Sequence, residues 1–362
     1  MSIISSQDKE ESTPQQNGKY PRLDLELTPG CDHRCGHCYN VWNAKEGDPQ
    51  AGYPKGQLSP DAYLAMVEKA IRESGAEHIT ITGGEPLLRK DALSIIERVC
   101  SLVPTVQLIT NGSHLDGEAI ARLSGAGVRS VQLTILSANR AKHNLLKGAE
   151  CFDETLRAAV DLLEAKVPVQ VCFVAMKNNW QDFEEVFELC FALGVRAITY
   201  NRMSPTGGAI HSVADLLPQA AEIEANLRTA ERLGKRWKIH VSTAMPIMPC
   251  LVRIGSFKWV KFGFCSTGSY SPNIVIDAQG NVRSCNLSSE VLGNVVEQPF
   301  MEIMKSTYQQ DFVRTLPEVC RGCAYERSCQ GGCKESAFAV FGSLAHPEPL
   351  LHLAHKGQGH DL

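Results

Sequence analysis

Cys31, Cys35 and Cys38 stand in the run Cys31-Asp-His-Arg-Cys35-Gly-His-Cys38-Tyr39, a C-x3-C-x2-C spacing just after the strand-like Arg22-Leu-Asp-Leu-Glu-Leu-Thr28. Soft thiolates packed this closely suit iron in an iron–sulfur cluster. A cubane holds four irons, so three thiolates leave one iron open to a small molecule, and the triad reads as catalytic. Zinc would instead ask for a fourth ligand and a closed tetrahedron; locally that ligand would have to be His33 or His37.

With Tyr39 beside its last cysteine, the triad resembles the signature of the radical S-adenosylmethionine (SAM) enzymes. The resemblance implies a 4Fe-4S cluster whose open iron chelates the amino and carboxylate groups of SAM. One electron from it then cleaves a C–S bond, giving methionine and a 5′-deoxyadenosyl radical. Thr82-Gly83-Gly84-Glu85-Pro86 resembles the family's GGE motif. There Gly83 and Gly84 permit close backbone approach, and Glu85 is expected to hold the SAM ammonium. Thr110-Asn111-Gly112 fits the family's next SAM contact at Asn111, although an ordinary turn explains it equally well. Thr134 stands where the family often has a serine hydroxyl directed at SAM. Lys147-Gly148 replaces the usual Arg-Gly, keeping the charge of a carboxylate anchor without the bidentate fork. Pro205-Thr206-Gly207 matches the Pro-x-Gly turn near the adenine, and Arg202 before it either faces substrate or forms a surface pair.

A second cysteine group reads Cys265-x14-Gly280-x4-Cys285, then Cys320-x2-Cys323-x5-Cys329-x3-Cys333. It resembles the SPASM domain, the auxiliary-cluster extension of many peptide-modifying radical SAM enzymes. The resemblance implies one or two auxiliary iron–sulfur clusters. Cys265, Cys285 and Cys333, with Cys250, would hold the first; Cys320, Cys323 and Cys329 would hold the second. The family's last cysteine is missing, and Leu351 in Glu348-Pro349-Leu350-Leu351 occupies its place. The second cluster is therefore expected to be open or to take Glu348, His346 or His352. A structural zinc held by Cys320, Cys323, Cys329 and Cys333 is the alternative. Asn286 follows Cys285 where sulfatase-maturating relatives carry an aspartate base, and an amide cannot take that proton.

These motifs need a scaffold that presents them together. Strand-like runs at Leu23–Leu27, His78–Thr82, Thr105–Thr110, Ser130–Leu136, Pro168–Ala175 and Ala197–Asn201 alternate with helix-like runs at Pro60–Glu73, Asp91–Leu102, Gly117–Leu123, Phe152–Ala165 and Trp180–Leu193. Repeated βα units imply a parallel sheet with helices outside and ligands at the carboxyl ends of the strands. The expected fold is α/β: a partial (β/α)6 TIM-like barrel over 20–245, then a small cysteine-rich iron–sulfur domain over 246–342. A doubly wound open sheet is the alternative from pattern alone. The polar Met1–Lys19 reads as a disordered lead, and 343–362, with four histidines, as a solvated tail.

The 362 residues, 43% hydrophobic with a net charge of −4, suit one large and one small domain and point away from nucleic acid. No apolar run is long enough to span a bilayer and no signal-peptide core is present, so a cytoplasmic protein is expected. In that compartment the fourteen cysteines are not expected to pair as disulfides. Cys100, Cys151, Cys172 and Cys190 read as small buried hydrophobes. The expected activity is hydrogen abstraction from a ribosomally made peptide, leading to a cross-link, oxidation or epimerisation, with a flavodoxin or ferredoxin reductant. Fewer than 22 residues precede the first strand, so a separate leader-peptide-binding protein is a further expected partner. The alternatives are the same chemistry on a tetrapyrrole side chain or a sugar or nucleoside, or a structural or electron-transfer iron–sulfur protein.

Overall fold

The computed structural model describes residues 19–48, 50–267 and 272–356. The expectation for the lead, up to residue 18, and for the tail beyond 356 lies outside these residues. Six βα units follow one another. They are β1 (Arg22–Glu26) with α1 (Pro60–Ser74), β2 (His78–Thr82) with α2 (Ala92–Leu102), and β3 (Thr105–Ile109) with α3 (Gly117–Ala126). Then come β4 (Ser130–Thr134) with α4 (Arg140–Lys147) and α5 (Phe152–Glu164), and β5 (Val169–Ala175) with α6 (Phe183–Leu193). The sixth is β6 (Ala197–Arg202) with α7 (Val213–Leu216) and α8 (Ala220–Trp237). All neighbours from β1 to β6 pair in parallel, as a partial barrel requires. Local signals set the helix ends. Pro60 opens α1, Asp116 caps α3 by accepting from Ala119 N–H, and Asn139 caps α4 by accepting from Lys142 N–H. The sequence reading missed α4 because it is short and largely polar.

The strands alternate. Leu23, Leu25, Ile79, Ile81, Leu108, Val131, Leu133, Val171 and Ile198 are fully buried in one core with the helices. The intervening Asp24, Thr80, Gln107, Gln132, Gln170 and Thr199 point to the opposite, inner face, because successive strand side chains change sides. That face is polar and internally bonded. Gln107 Nε2 donates to Gln170 Oε1 at 2.9 Å, Gln170 donates to Thr199, and Asn273 Nδ2 donates to Asp24 Oδ2 at 2.6 Å.

The sheet does not stop at residue 245. Strands β7 (His240–Ser242) and β8 (Val260–Lys261) extend it beyond β6, and β9 (Asn273–Ile276) pairs in parallel with β1 at the other edge. Strands β10 (Asn281–Arg283) and β11 (Gly293–Asn294) complete an eleven-stranded order, β11-β10-β9-β1-β2-β3-β4-β5-β6-β7-β8. The cysteine-rich segment thus shares the barrel's sheet. Short helices follow: α9 (Phe300–Ile303), α10 (Thr307–Arg314), α11 (Glu326–Cys329), α12 (Lys334–Phe341) and α13 (Pro349–Lys356). The stretch 346–354, expected to be a solvated tail, packs instead, with Glu348, Leu350 and Leu351 buried. No helix among the described residues is long and apolar enough to cross a membrane.

Two buried ion pairs fasten the halves together. Arg283 of β10 pairs with Glu26 of β1 and lies over the Tyr53 ring at 4.9 Å. Arg202 at the end of β6 pairs with Glu348 before α13. Arg202 is therefore neither a substrate-facing nor a surface residue, because the chain's own carboxylate neutralises it inside. Removing one partner of such a pair leaves a buried charge and costs about 3–5 kcal/mol. Arg283→Met is expected to lose that much stability in urea melts, and Glu26→Gln in the same chain to recover a large part. Equal losses in the single and double variants would refute the pairing as the cause.

Candidate active site

The Cys31–Cys38 loop leaves the carboxyl end of β1, and loops from β2, β3, β4 and β6 converge on it. After β2, Gly84 N–H donates to Thr28 O at 2.8 Å and Glu85 N–H to Gly30 O at 2.7 Å. A Cβ on Gly84 would sit 2.1 Å from Gly30 O, and Gly83 has φ of +137°, so both glycines are required for this contact. After β3, Asn111 Nδ2 donates to Asp32 Oδ1 at 2.7 Å, His114 meets Asp32 Oδ2 at 2.9 Å, and Ser113 meets His33 at 3.2 Å. From the end of α4, Lys147 O accepts from Arg34 N–H at 3.2 Å and from Cys35 Sγ at 3.4 Å. After β6, Ala209 N–H donates to Cys38 O at 3.0 Å and Thr206 Oγ1 to Tyr39 O at 3.4 Å. Pro205 is buried in that loop, while Tyr39 is exposed and Thr134 half-buried at the end of β4. The chain thus gathers Tyr39, Gly83, Gly84, Glu85, Asn111, Lys147 and Pro205 around the triad, with Thr134 on the inner face.

Glu85 is already engaged within the chain. It is 1% exposed, and its Oε1 accepts from Thr110 Oγ1 at 2.7 Å and Leu87 N–H at 3.1 Å. Its Oε2 accepts from Asn111 N–H at 2.7 Å. The carboxylate is engaged in holding the β2 and β3 loops together. Lys147, 4% exposed, has no carboxylate partner among the described residues. Burial raises the Cys35 thiol, and the Lys147 ammonium pulls it back toward the thiolate. Asn43 Nδ2 also donates to Cys38 Sγ at 3.3 Å. A soft-donor triad, a hydrogen bond to one sulfur, a glycine cradle and an unpaired buried cation fit a SAM-binding cluster.

The C-terminal thiols divide into two groups. Cys265, Cys285 and Cys333 act on one another electrostatically. Cys250, Cys320, Cys323 and Cys329 line one pocket with Met248, Pro249 and Leu351. Cys250 therefore stands with the second set and not the first, because the segment between β7 and β8 brings it across to α11. Cys333 belongs to the first set, so the zinc quartet of Cys320, Cys323, Cys329 and Cys333 is not assembled. Among the described residues, no three His, Cys, Asp or Glu side chains converge closely enough for a single ion. Glu348, His346 and His352 do not line the pocket. Glu348 Oε2 accepts from Cys333 N–H at 2.8 Å beside Arg202, and His346 stacks on Phe341 at 3.7 Å.

Sequence reasoning missed several groups. Asp24 is buried on the inner face and its carboxyl is pushed up to about 6 by burial, against hydrogen bonds from Asn273, Thr80 and Asn286. Asn286 is thus a partner of a barrel carboxylate. Glu335, two residues beyond Cys333, accepts from Tyr308 Oη at 3.0 Å and is pushed up to about 7 by burial. Cys172 is buried like Cys151 and Cys190, but it lies on the polar face opposite Thr134, with Asn201 Nδ2 at 3.8 Å. The polar phase of strands such as His78-Ile-Thr-Ile-Thr82 was the available signal.

Residues 25–190 match the Radical SAM superfamily and residues 265–324 match SPASM, an iron–sulfur cluster-binding domain. The chain thus contains a radical SAM domain followed by a SPASM domain. These domains carry a SAM-binding 4Fe-4S cluster and auxiliary iron–sulfur clusters. The chain is similar to the AdoMet-dependent heme synthase of Methanosarcina barkeri, with 28% identity over 91% of this chain and 95% of that protein. It is similar also to that of Nitratidesulfovibrio vulgaris, with 26% identity over 90% of each. Among solved structures, Streptococcus suis SuiB bound to precursor peptide SuiA superposes with a TM-score of 0.73. That match has 14% identity and covers 92% of this chain and 76% of SuiB. Native anSMEcpe with bound AdoMet superposes at 0.67, with 17% identity over 92% of this chain and 95% of that one. Both structural matches show the fold.

His143 gives the site a pH signature. It is fully buried in α4, its Nδ1 accepts from Leu136 N–H at 3.3 Å, and burial followed by Lys147 lowers it to about 3. An unfolded histidine protonates near 6.5, so the unfolded chain takes up this proton first as pH falls. The stability present above pH 6.5 is lost between 6.5 and the folded value, about 2 kcal/mol by pH 5. His143→Gln is expected to flatten the pH 7.5-to-5 change in urea midpoint of the metal-free chain by that amount. An unaltered slope would show that His143 is not the group responsible.

Proposed function

We propose that this chain is a radical SAM enzyme acting on a tetrapyrrole side chain in a heme-forming reaction. The observation that carries the reading is similarity along the whole chain, barrel and cysteine-rich segment alike, to AdoMet-dependent heme synthases at 26–28% identity. When bound, the cluster and SAM supply a 5′-deoxyadenosyl radical that takes a hydrogen atom from a substrate carbon. Cys31, Cys35 and Cys38 hold the cluster at the mouth of the barrel. Lys147 takes the SAM carboxylate, a role that suits a buried ammonium with no carboxylate partner among the described residues. Glu85 and Asn111 hold the loops that shape the pocket, Pro205 and Tyr39 close its β6 side, and Thr134 presents a hydroxyl from the inner face. The C-terminal thiols would hold the auxiliary clusters, which would supply an electron acceptor. A flavodoxin or ferredoxin supplies the low-potential electron that starts the cycle.

A ribosomally made peptide is the second reading, with cross-linking, oxidation or epimerisation as its outcome. Its support is the architecture shared with SuiB, whose structure contains a precursor peptide; at 14% identity that likeness is one of fold. Under this reading a separate leader-binding protein remains a partner.

Anaerobic reconstitution followed by reductant, SAM and iron-porphyrin precursors of heme tests the choice. 5′-Deoxyadenosine and heme are expected to form together, and neither in a Cys31→Ala/Cys35→Ala/Cys38→Ala chain. Stimulation of 5′-deoxyadenosine by a co-encoded peptide, and by no porphyrin, would turn the assignment to peptide maturation. Lys147→Ala is expected to weaken SAM binding roughly 10- to 150-fold, the range of a lost charge-assisted hydrogen bond. Lys147→Arg should retain most of the affinity. Equal affinity in all three chains in equilibrium dialysis would remove Lys147 from the SAM site.

A further inference from the structure

We propose that Cys250 supplies the fourth thiolate of the second auxiliary cluster, beside Cys320, Cys323 and Cys329, and that protein ligands alone close this cluster. The inference rests on the reading that the C-terminal thiols hold iron–sulfur clusters, and is independent of the substrate. Its first support is placement. The family resemblance put Cys250 with Cys265, Cys285 and Cys333, yet the fold brings it into the pocket lined by Cys320, Cys323 and Cys329.

The second support is electrostatic neighbourhood. Three of these thiols feel others of the same four: Cys250 feels Cys323, Cys320 feels Cys250 and Cys323, and Cys329 feels Cys250 and Cys320. A third is the set of peptide N–H groups aimed at the sulfurs, which stabilise thiolate charge and tune clusters. Leu251 N–H points at Cys250, Gly331 and Gly332 N–H at Cys329, and Tyr325 N–H donates to Cys323 Sγ at 3.5 Å.

The fourth support is Leu351. It stands where the family's last cysteine is expected, and it does line this pocket, so the vacant ligand position is real and holds an inert side chain. Cys250 reaches the same pocket from the segment between β7 and β8. Of the oxygen and nitrogen candidates, Glu348, His346 and His352 do not line the pocket, and Glu348 Oε2 is held by Arg202 and Cys333 N–H. Glu326, which does line it, accepts from Gly322 N–H at 2.6 Å. Binding of Cys250 to the cluster iron exchanges an S–H bond for an Fe–S bond, so this ligation releases one proton and changes no oxidation state. The seven C-terminal thiols then divide as four and three. The iron short of a thiolate lies in the set of Cys265, Cys285 and Cys333, the reverse of the arrangement that the resemblance implied.

The test uses the full chain carrying Cys31→Ala, Cys35→Ala and Cys38→Ala, so that only auxiliary clusters load, reconstituted with iron and sulfide. Iron content and the spin count of the three-iron signal after mild oxidation are read. A cluster short of one thiolate loses its unique iron, so adding Cys250→Ala is expected to raise that count by about one spin per chain and remove about one iron. Adding Leu351→Cys to that chain is expected to reverse both changes, because the new thiol enters the same pocket from the other side. An unchanged spin count in Cys250→Ala overturns the proposal. So does a rise that Leu351→Cys fails to reverse while Cys250→Ser matches Cys250→Ala in iron content, since Cys250 would then serve the other set. A parent chain that loads no iron overturns the iron–sulfur reading beneath the proposal and leaves the substrate question to its own assay.

Discussion

The constraint on which the site depends is the approach of the β2 loop to the segment before Cys31. Gly84 lies so close to Gly30 that no side chain fits between them, and two backbone hydrogen bonds close the contact. Three soft sulfurs can serve one cluster only if a short, irregular loop holds them at set separations, and irregular loops have little intrinsic rigidity. Here the stiffness comes from neighbours. Glu85 locks the β2 loop to the β3 loop, Asn111 ties the β3 loop to Asp32, and Lys147 ties the end of α4 to Arg34 and Cys35. The residues that make SAM binding possible mostly build the cradle.

Burial sets the electrostatics of that cradle. Glu85 is surrounded by N–H and O–H donors, so its charge is met internally. Lys147 has the opposite condition, a buried ammonium near a thiol and without an acid among the described residues. A buried charge with no partner is expensive, and an anionic ligand group relieves it. The same reasoning separates Arg202 and Arg283 from the site. Each already has a buried carboxylate, and each joins barrel strands to the cysteine-rich segment. The auxiliary thiols are thereby fixed to the sheet that carries the triad.

Much of this was legible in one chain of letters. The C-x3-C-x2-C run, the glycine pair one βα unit later and the C-terminal spacing are local, and local spacing survives in sequence. The alternation of strand and helix gave six βα units because apolar periodicity follows burial against the helices. Helix α4 was not visible, being short and polar, and its stability comes from the Asn139 cap and its place beside the triad. The packing of 346–354 was hidden as well. Its anchors, Glu348 to Arg202 and His346 on Phe341, join residues far apart or in different segments.

What the sequence by itself determined was chemistry, since the number and type of soft ligands depend on composition and short spacing alone. It also determined the order of the elements and the end of the sheet at which the motifs gather. Tertiary structure alone decided the division of the seven C-terminal thiols, the buried partners of Arg202 and Arg283, and the structural engagement of Glu85. Cys250 lies seventy residues before Cys320, and no periodicity or spacing rule connects them. Their meeting depends on how the segment between β7 and β8 crosses to α11, and that path is set by the packing of the whole sheet.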